Sequence, residues 1–192
     1  MKFKWEEIAD GAAAEYADLP TGCYVLKVLD AAEERDYQRF GDTYDRVVIH
    51  WDVAEGEYAD FFTANDKPDF THEHEFRLTD DIDSVESNRR FLYTQLYDRF
   101  LPAVKASNDV HGVGDVSQLK GLLFGATVRH RLYTKRDGSD GNVLEIQQFY
   151  PAEKMRTMDI PPNAMPKDRD RRATNTAPKP TGKAYEDAEI PF

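Results

Sequence analysis

Cysteine is nearly absent from this sequence, and long apolar runs do not occur. Cys23 is the only cysteine among 192 residues, which excludes a disulfide framework and a zinc site built from cysteines. No apolar stretch approaches the roughly 18 residues that a membrane-spanning helix needs, so we expect no membrane partner. Acidic residues follow Trp5 where a secretory signal would continue with apolar ones, so we predict no signal peptide. The expected location is the reducing cytoplasm.

The chain also lacks positive charge in total. Lysine and arginine number 25 against 36 aspartates and glutamates, which gives a formal net charge of -11. Acidic chains seldom bind nucleic acids, because phosphate contacts need cations. Residues 117–136 nevertheless contain no acid and five cations, Lys120, Arg129, Arg131, Lys135 and Arg136. This uneven distribution keeps nucleic-acid binding open.

Composition changes sharply near residue 160. Six of the ten prolines lie from Pro161 onward, and the only apolar residues in 163–183 are alanines, prolines and Met165. Such a segment buries too little surface to offset the entropy cost of ordering. We therefore predict a folded domain at 1–160, a flexible Pro-rich linker at 161–184, and a separate tip at 185–192.

Hydrophobic periodicity in the body predicts strands on both sides of one main helix. The first two strands are predicted at 22–34 and 44–54, and the last two at 121–134 and 143–151. A shorter third strand is predicted around Tyr58, Phe61 and Phe62, and residues 71–78 are expected to extend or repeat it. Residues 137–142 carry a strong hairpin signal between the last two. Apolar residues recur at helical spacing in 84–106, including Phe91, Phe100 and Val104. Ser84 is the expected helix N-cap, with Ser87 as a later option, and Pro102 is expected to kink or divide the helix.

Three strands, a helix and two strands form the element order of the OB-fold, a five-stranded Greek-key barrel that binds oligonucleotides. We predict a mainly β fold of this kind with one main helix and a disordered C-terminal tail, although other α+β folds share the order. Its two binding loops, 35–43 and 134–142, and the strands beside them combine cations with aromatic rings, as single-strand binding requires. The candidate DNA-binding residues are Arg35, Tyr37, Arg39, Phe40, Tyr44, Arg46, Arg129, Arg131, Tyr133, Lys135 and Arg136. The alternatives are a solvated strand face and loop rings that pack back on the barrel.

The sequence gives little support to a metal site or to catalysis. His72 and His74 place two imidazoles at i, i+2, but no third ligand is evident nearby. Asp69, Glu73 and Glu75 faintly resemble a nuclease carboxylate cluster, without the lysine that usually accompanies one. We predict no metal, no cofactor and no enzymatic activity, with a metal-dependent nuclease kept as the third alternative.

The C-terminal residues combine acids with an apolar end. Glu186, Asp187 and Glu189 precede Ile190, Pro191 and Phe192. The apolar side chains can fill a pocket while proline limits the unbound conformations, which is typical of a partner-docking peptide. Upstream acids would favour a partner surface with a basic rim.

This tip resembles the acidic C-terminus of bacterial single-stranded-DNA-binding proteins, in which acids precede Ile-Pro-Phe. The body resembles a family of small phage proteins from replication and recombination gene clusters across most of residues 18–162. The matching segments are Pro20–Tyr24, Trp51–Tyr58 with Phe61-Phe62, Leu119–Gly121 with Phe124-Gly125, and Glu153–Arg156 before Ile160-Pro161. The resemblance implies an OB-fold, a flexible linker, and a tip that recruits replication, recombination and repair enzymes.

These observations predict a phage protein that binds and protects single-stranded DNA without sequence preference, in the cytoplasm of the host cell. Its partners would be single-stranded DNA and, through the tip, replication and recombination proteins, and a homo-oligomer is left open. The alternative is a recombination accessory or adaptor that acts mainly by protein contact.

Overall fold

The computed structural model of the chain describes residues 18–39, 41–110, 112–135 and 137–172. Its main element is a mostly antiparallel sheet with few helices. The strands are β1 (Gly22–Arg39), β2 (Asp42–Val53), β3 (Glu73–Leu78), β4 (Leu123–Thr134), β5 (Asp140–Tyr150) and β6 (Arg169–Asp170). The prediction of a mainly β fold with one main helix is confirmed at this level.

The strand order is β3-β2-β1-β4-β5, and β6 pairs with β4 in parallel. Because β4 lies beside β1, the first four strands form a Greek key. In the part of the chain that the structure describes, β3 and β5 do not pair, so the sheet does not close into a barrel. Phe149 of β5 nevertheless lies 5.2 Å from His74 and 5.6 Å from Phe76 of β3 between ring centroids, so the two edges approach each other.

The core lies inside the curved sheet and is closed by the main helical segment. On β2, Val47, Ile49, Trp51 and Val53 alternate along the strand and belong to this core, as their period of two predicts. The opposite face of the strand is also largely covered, because Tyr44, Arg46 and Val48 are buried. Phe100 from the helical segment packs on the rings of β3, β4 and β5.

The helical segment begins later than predicted. It runs as α2 (Arg90–Gln95), a π-turn (Leu96–Phe100) and α3 (Leu101–Ser107). Asp81 caps a separate 3-10 turn at Ile82–Ser84, and Arg89 occupies the N-cap position of α2, so the expected N-cap at Ser84 and the later option at Ser87 are both wrong. Phe91 is 59% exposed rather than core. The π-turn ends just before Pro102, which lies in the first turn of α3, where its missing N–H costs least.

The third strand was expected around Phe61 and Phe62, but these residues form the short helix α1 (Phe61–Ala64). The cause is Asp52, a fully buried carboxylate on β2. It accepts hydrogen bonds from the backbone N–H of Phe62 and of Thr63, both at 3.0 Å, and from the Thr63 hydroxyl at 2.6 Å. The third strand is therefore β3 (Glu73–Leu78), within the region 71–78 that was predicted to extend or repeat it.

The body continues into the segment predicted as linker. Helix α4 (Ala152–Arg156) leads to Ile160 and Ala164, which are buried against Val25 and Met155. Strand β6 then pairs with β4, and the N–H of Arg171 donates to the carbonyl of Leu132 at 2.8 Å. Residues 161–172 thus belong to the folded body, whereas the rest of the predicted linker and the tip at 185–192 lie outside the described residues.

Among the helices of the described residues, none has the length and apolar character that crossing a membrane would require.

Candidate nucleic-acid interface

The predicted site residues fall on two separate surfaces. Strands β1 and β2 carry Arg35, Tyr37, Arg39, Tyr44 and Arg46 near their hairpin, and we call this group the β1–β2 surface. The other group consists of Arg129, Arg131 and Tyr133 on β4 and of Lys135 just after it. These residues lie beyond Val128, which pairs with Gly22 at the start of β1. The two groups therefore lie towards opposite ends of β1. Phe40 and Arg136, which were also predicted, lie outside the described residues.

On the β1–β2 surface the aromatic rings pack against guanidinium groups. The Arg46 guanidinium lies 3.4 Å from the centroid of Tyr37, and that of Arg77 lies 4.0 Å from the centroid of Tyr44. The two tyrosine rings contact each other edge to face at 5.7 Å. Tyr44 is buried and Tyr37 half-buried. These two rings thus pack back on the sheet, which is the alternative to base stacking that the sequence left open.

Carboxylates hold most of the cations of this surface. Glu75 accepts hydrogen bonds from the Tyr44 hydroxyl at 2.9 Å and from Arg46 at 2.8 Å, while Glu34 binds the other side of Arg46 at 2.9 Å. Burial opposes ionisation of Glu75, but the hydrogen bonds from Arg46 and Tyr44 outweigh it and lower its pKa. Arg35 pairs similarly with Asp45 at 2.7 Å. These cations would have to break ion pairs to reach a phosphate.

On β4, one carboxylate serves two arginines. Glu145 of β5 lies directly opposite Arg129. Its carboxylate accepts a hydrogen bond from the Nε–H of Arg129 at 2.8 Å and forms an ion pair with Arg131 at 3.0 Å. Tyr133 follows on the same side of the strand and is half-buried, and Lys135 is exposed at the hairpin turn. A net positive charge therefore remains on this strand.

Strand β6 and the residues beside it add three cations to this side of β4, in a segment that the composition predicts to be linker. Lys167, Arg169 and Arg171 are exposed, and their side chains have no ion-pair partner within the described ranges. Arg169 lies directly opposite Arg131 in the parallel pairing. We call Arg129, Arg131, Tyr133 and Lys135 together with these three residues the β4–β6 surface.

Glu145 offsets the positive charge of the Arg131–Arg169 pair only in part, because the same carboxylate also pairs with Arg129. Like charges directly opposite each other destabilise a strand pair. An anion between two guanidinium groups removes the repulsion and gains charge-assisted hydrogen bonds, which are strong with phosphate. A sequence signal did exist for this arrangement: cations alternate with acids in 167–171, so an extended chain places the cations on one face.

The two predicted imidazoles have different surroundings. His72 lies before β3, is buried, and stacks on Phe62 with centroids 4.7 Å apart. His74 lies inside the sheet against Phe149, and burial lowers its pKa to about 4. Burial also lowers the pKa of His72. No group of three histidine, cysteine, aspartate or glutamate side chains suited to a metal occurs in the described part of the chain.

Comparison with known proteins finds no family model and no curated protein that matches this sequence. Function is therefore inferred from the two surfaces and from the sequence pattern.

Proposed function

We propose that this chain binds single-stranded DNA without sequence preference, through the β4–β6 surface. The observation that carries the proposal is the exposed cation Arg169 of β6, directly opposite Arg131, together with the exposed Lys167 and Arg171 on either side of β6. A row of cations without carboxylate partners can contact successive phosphates, and phosphate contacts supply most of the affinity in nonspecific binding.

A preference for single strands follows from the ring beside these cations. Tyr133 lies two residues after Arg131 on β4 and remains half-buried. Bases that are free of a duplex can stack on such a ring, and stacking is tolerant of sequence. The net charge of -11 repels DNA from the rest of the molecule, which confines binding to this surface and makes it sensitive to salt.

The fold that we propose is an OB-fold. Five strands, a Greek key and a sheet left open between β3 and β5 are compatible with the partly open barrel of that fold. The main helical segment precedes β4, as the element order of the sequence predicts.

The biological setting that we propose comes from the resemblance of the sequence. The protein would protect exposed strands during phage replication and recombination in the host cytoplasm, without catalytic activity. Residues 185–192 would recruit replication and recombination proteins by their acids and apolar end.

A salt titration of labelled oligo-dT and of its duplex tests the proposal. The double variant Arg169→Ala/Arg171→Ala should bind oligo-dT more weakly, with a log–log salt slope shallower by about 1.4, because each phosphate contact on single strands contributes about 0.7. The matched control is Arg35→Ala/Arg39→Ala on the β1–β2 surface, which should leave the slope unchanged. The reverse pattern would assign DNA to the β1–β2 surface, and stronger binding to the duplex would contradict single-strand preference.

A second candidate function, that of an adaptor, is favoured by a groove of about 720 Å³ that Arg35 of the β1–β2 surface also lines. Its floor is apolar and includes Leu78, Leu101 and Leu119, while the carboxylates of Glu33, Asp80, Asp98 and Asp115 line it. Tyr97 beside it is 65% exposed. These features suit a cationic, apolar segment of a partner protein. Binding of a cationic amphipathic peptide, lost in Tyr97→Ala, together with no binding of oligo-dT at low salt, would favour the adaptor.

A further inference from the structure

A small groove lies beside the β4–β6 surface. It has a volume of about 220 Å³, and Phe61, Phe62, Phe70, Tyr133 and Leu144 form much of its wall. Drug-sized ligands occupy pockets of roughly 300–1,000 Å³, so this groove suits a smaller group. Among the described residues that line it, Asp18 is the one acid, and Lys67 supplies a cation.

Phe70 is presented at this groove by an anchored turn. Its side chain is 74% exposed, so the core does not depend on it. The 3-10 turn Asp69–Thr71 is held by the Thr71 hydroxyl, which donates to the Pro68 carbonyl at 2.7 Å, and by His72, whose N–H donates to the Asp69 carbonyl at 3.1 Å. His72 itself is buried. The turn therefore fixes the backbone of an exposed aromatic residue.

Tyr133 forms another part of the wall, and a glycine allows its position. A Cβ atom on Gly141, which pairs with Tyr133 across the hairpin, would lie 2.5 to 2.9 Å from three atoms of the tyrosine ring. Without that atom the ring lies directly against strand β5. The Arg131 guanidinium is 5.8 Å from the centroid of the ring, so the groove is continuous with the phosphate-binding cations.

We infer that this groove receives one nucleobase of a bound single strand, stacked on Phe70 and Tyr133, while the flanking phosphates lie on the β4–β6 surface. The inference rests on the proposed function and names its base-binding residues. A planar, uncharged and aromatic group fits a small groove that is walled by rings and contains one cation and one acid. A duplex cannot supply such a base without unpairing it, so the groove would also contribute to the preference for single strands.

Tryptophan substitution measures contact with the base directly. Phe70→Trp in the full chain should retain affinity for oligo-dT, and its fluorescence should be quenched as the oligonucleotide saturates the protein. Phe91→Trp is the matched control, because Phe91 is also exposed, at 59%, and does not line the groove. Quenching of the control alone, or of neither, would overturn the inference.

Affinity gives a second measurement. Phe70→Ala should weaken oligo-dT binding about tenfold and leave the salt slope unchanged, because stacking involves no counterion release. Phe91→Ala should bind normally. Gly141→Ala, which displaces the Tyr133 ring without removing it, should weaken binding in the same direction.

The outcomes separate the base groove from the proposed function. If Arg169→Ala/Arg171→Ala lowers the salt slope but Phe70→Ala binds normally, the DNA surface stands and the base groove is wrong. If oligo-dT does not bind at low salt, both are wrong. Quenching of Phe70→Trp by a peptide of residues 185–192, with none by oligo-dT, would assign the groove to the tip and overturn the inference.

Discussion

Burial of single ionisable residues sets a pH dependence for this fold. The His74 ring lies inside the sheet, with its centroid 4.7 Å from that of Phe76 and 5.2 Å from that of Phe149. Burial lowers its pKa to about 4, against an ordinary value of 6.5. The folded protein therefore holds His74 neutral, whereas the unfolded chain binds a proton below pH 6.5 and is favoured there.

We predict that the free energy of unfolding falls as the pH is lowered from 6.5 towards 4. The His74 share of this loss between pH 7 and pH 4.5 should be about 2–3 kcal/mol, since each pKa unit corresponds to about 1.4 kcal/mol. Urea unfolding at the two pH values measures it. His74→Leu should lose less stability than the wild type over this interval, while the control His50→Gln should lose about as much. Equal losses in all three would show that His74 does not carry the effect.

At the scale of elements, β6 covers an edge that β1 leaves open. Strand β1 begins at Gly22, opposite Val128, so the later residues of β4 have no partner on that side until β6 pairs with them. Asp168 links β6 to the body, because its carboxylate accepts hydrogen bonds from the Thr21 hydroxyl and from the His130 N–H at 3.3 Å. The hydrogen bond from Thr21 is the main cause of a lowered pKa at Asp168.

We predict that Asp168→Ala releases β6 and speeds trypsin cleavage after Arg169 and Arg171. The expected increase is about tenfold, because a hydrogen bond to a charged group contributes roughly 1.5 kcal/mol and cleavage follows local opening. Timed digestion with mass spectrometry measures the rate at each site. Asp159→Ala, another exposed acid outside β6, is the control. Unchanged cleavage in Asp168→Ala would mean that backbone pairing alone holds the strand.

At the scale of the whole molecule, this acidic chain exposes Lys167, Arg169 and Arg171, cations without an ion-pair partner among the described residues, beside β4. Arg172, the last described residue, pairs with Asp140 of the β4–β5 hairpin at 3.1 Å. Twenty residues, 173–192, follow it and lie outside the described residues. A linker of that length with the flexibility that its composition predicts would reach about 25 Å and give the tip a local concentration in the millimolar range. The acids of the tip would therefore compete with DNA for the β4–β6 surface.

We predict that removal of residues 185–192 tightens oligo-dT binding, most at low salt, where screening is least. Titration of full-length and truncated protein at two salt concentrations measures the change. A variant with Glu186, Asp187 and Glu189 changed to glutamine should bind DNA as the truncated protein does, yet keep the apolar end. Partner recruitment should be lost on truncation. Weaker DNA binding by the truncated protein would contradict the competition.

The sequence by itself determined the features that depend on neighbours in the chain. Alternation predicted which residues of β2 enter the main core, and the turn residues after Lys135 predicted the hairpin between β4 and β5, because strand faces and tight turns follow from local geometry. The uneven distribution of charge along the chain could also be predicted, because it depends on the order of residues and not on tertiary contacts.

Only the tertiary structure decided the features that depend on residues far apart in sequence. Residues Phe61 and Phe62 begin a short helix rather than a strand, and the carboxylate of Asp52 accepts hydrogen bonds from the backbone N–H groups of Phe62 and Thr63 there. Pairing of β1 with β2 and β4 placed the two groups of predicted DNA-binding residues apart. Pairing of β6 with the open edge of β4 placed Arg169 beside Arg131, although composition alone predicted a linker there. In each case a hydrogen-bonding group supplied from elsewhere in the chain outweighed the local preference.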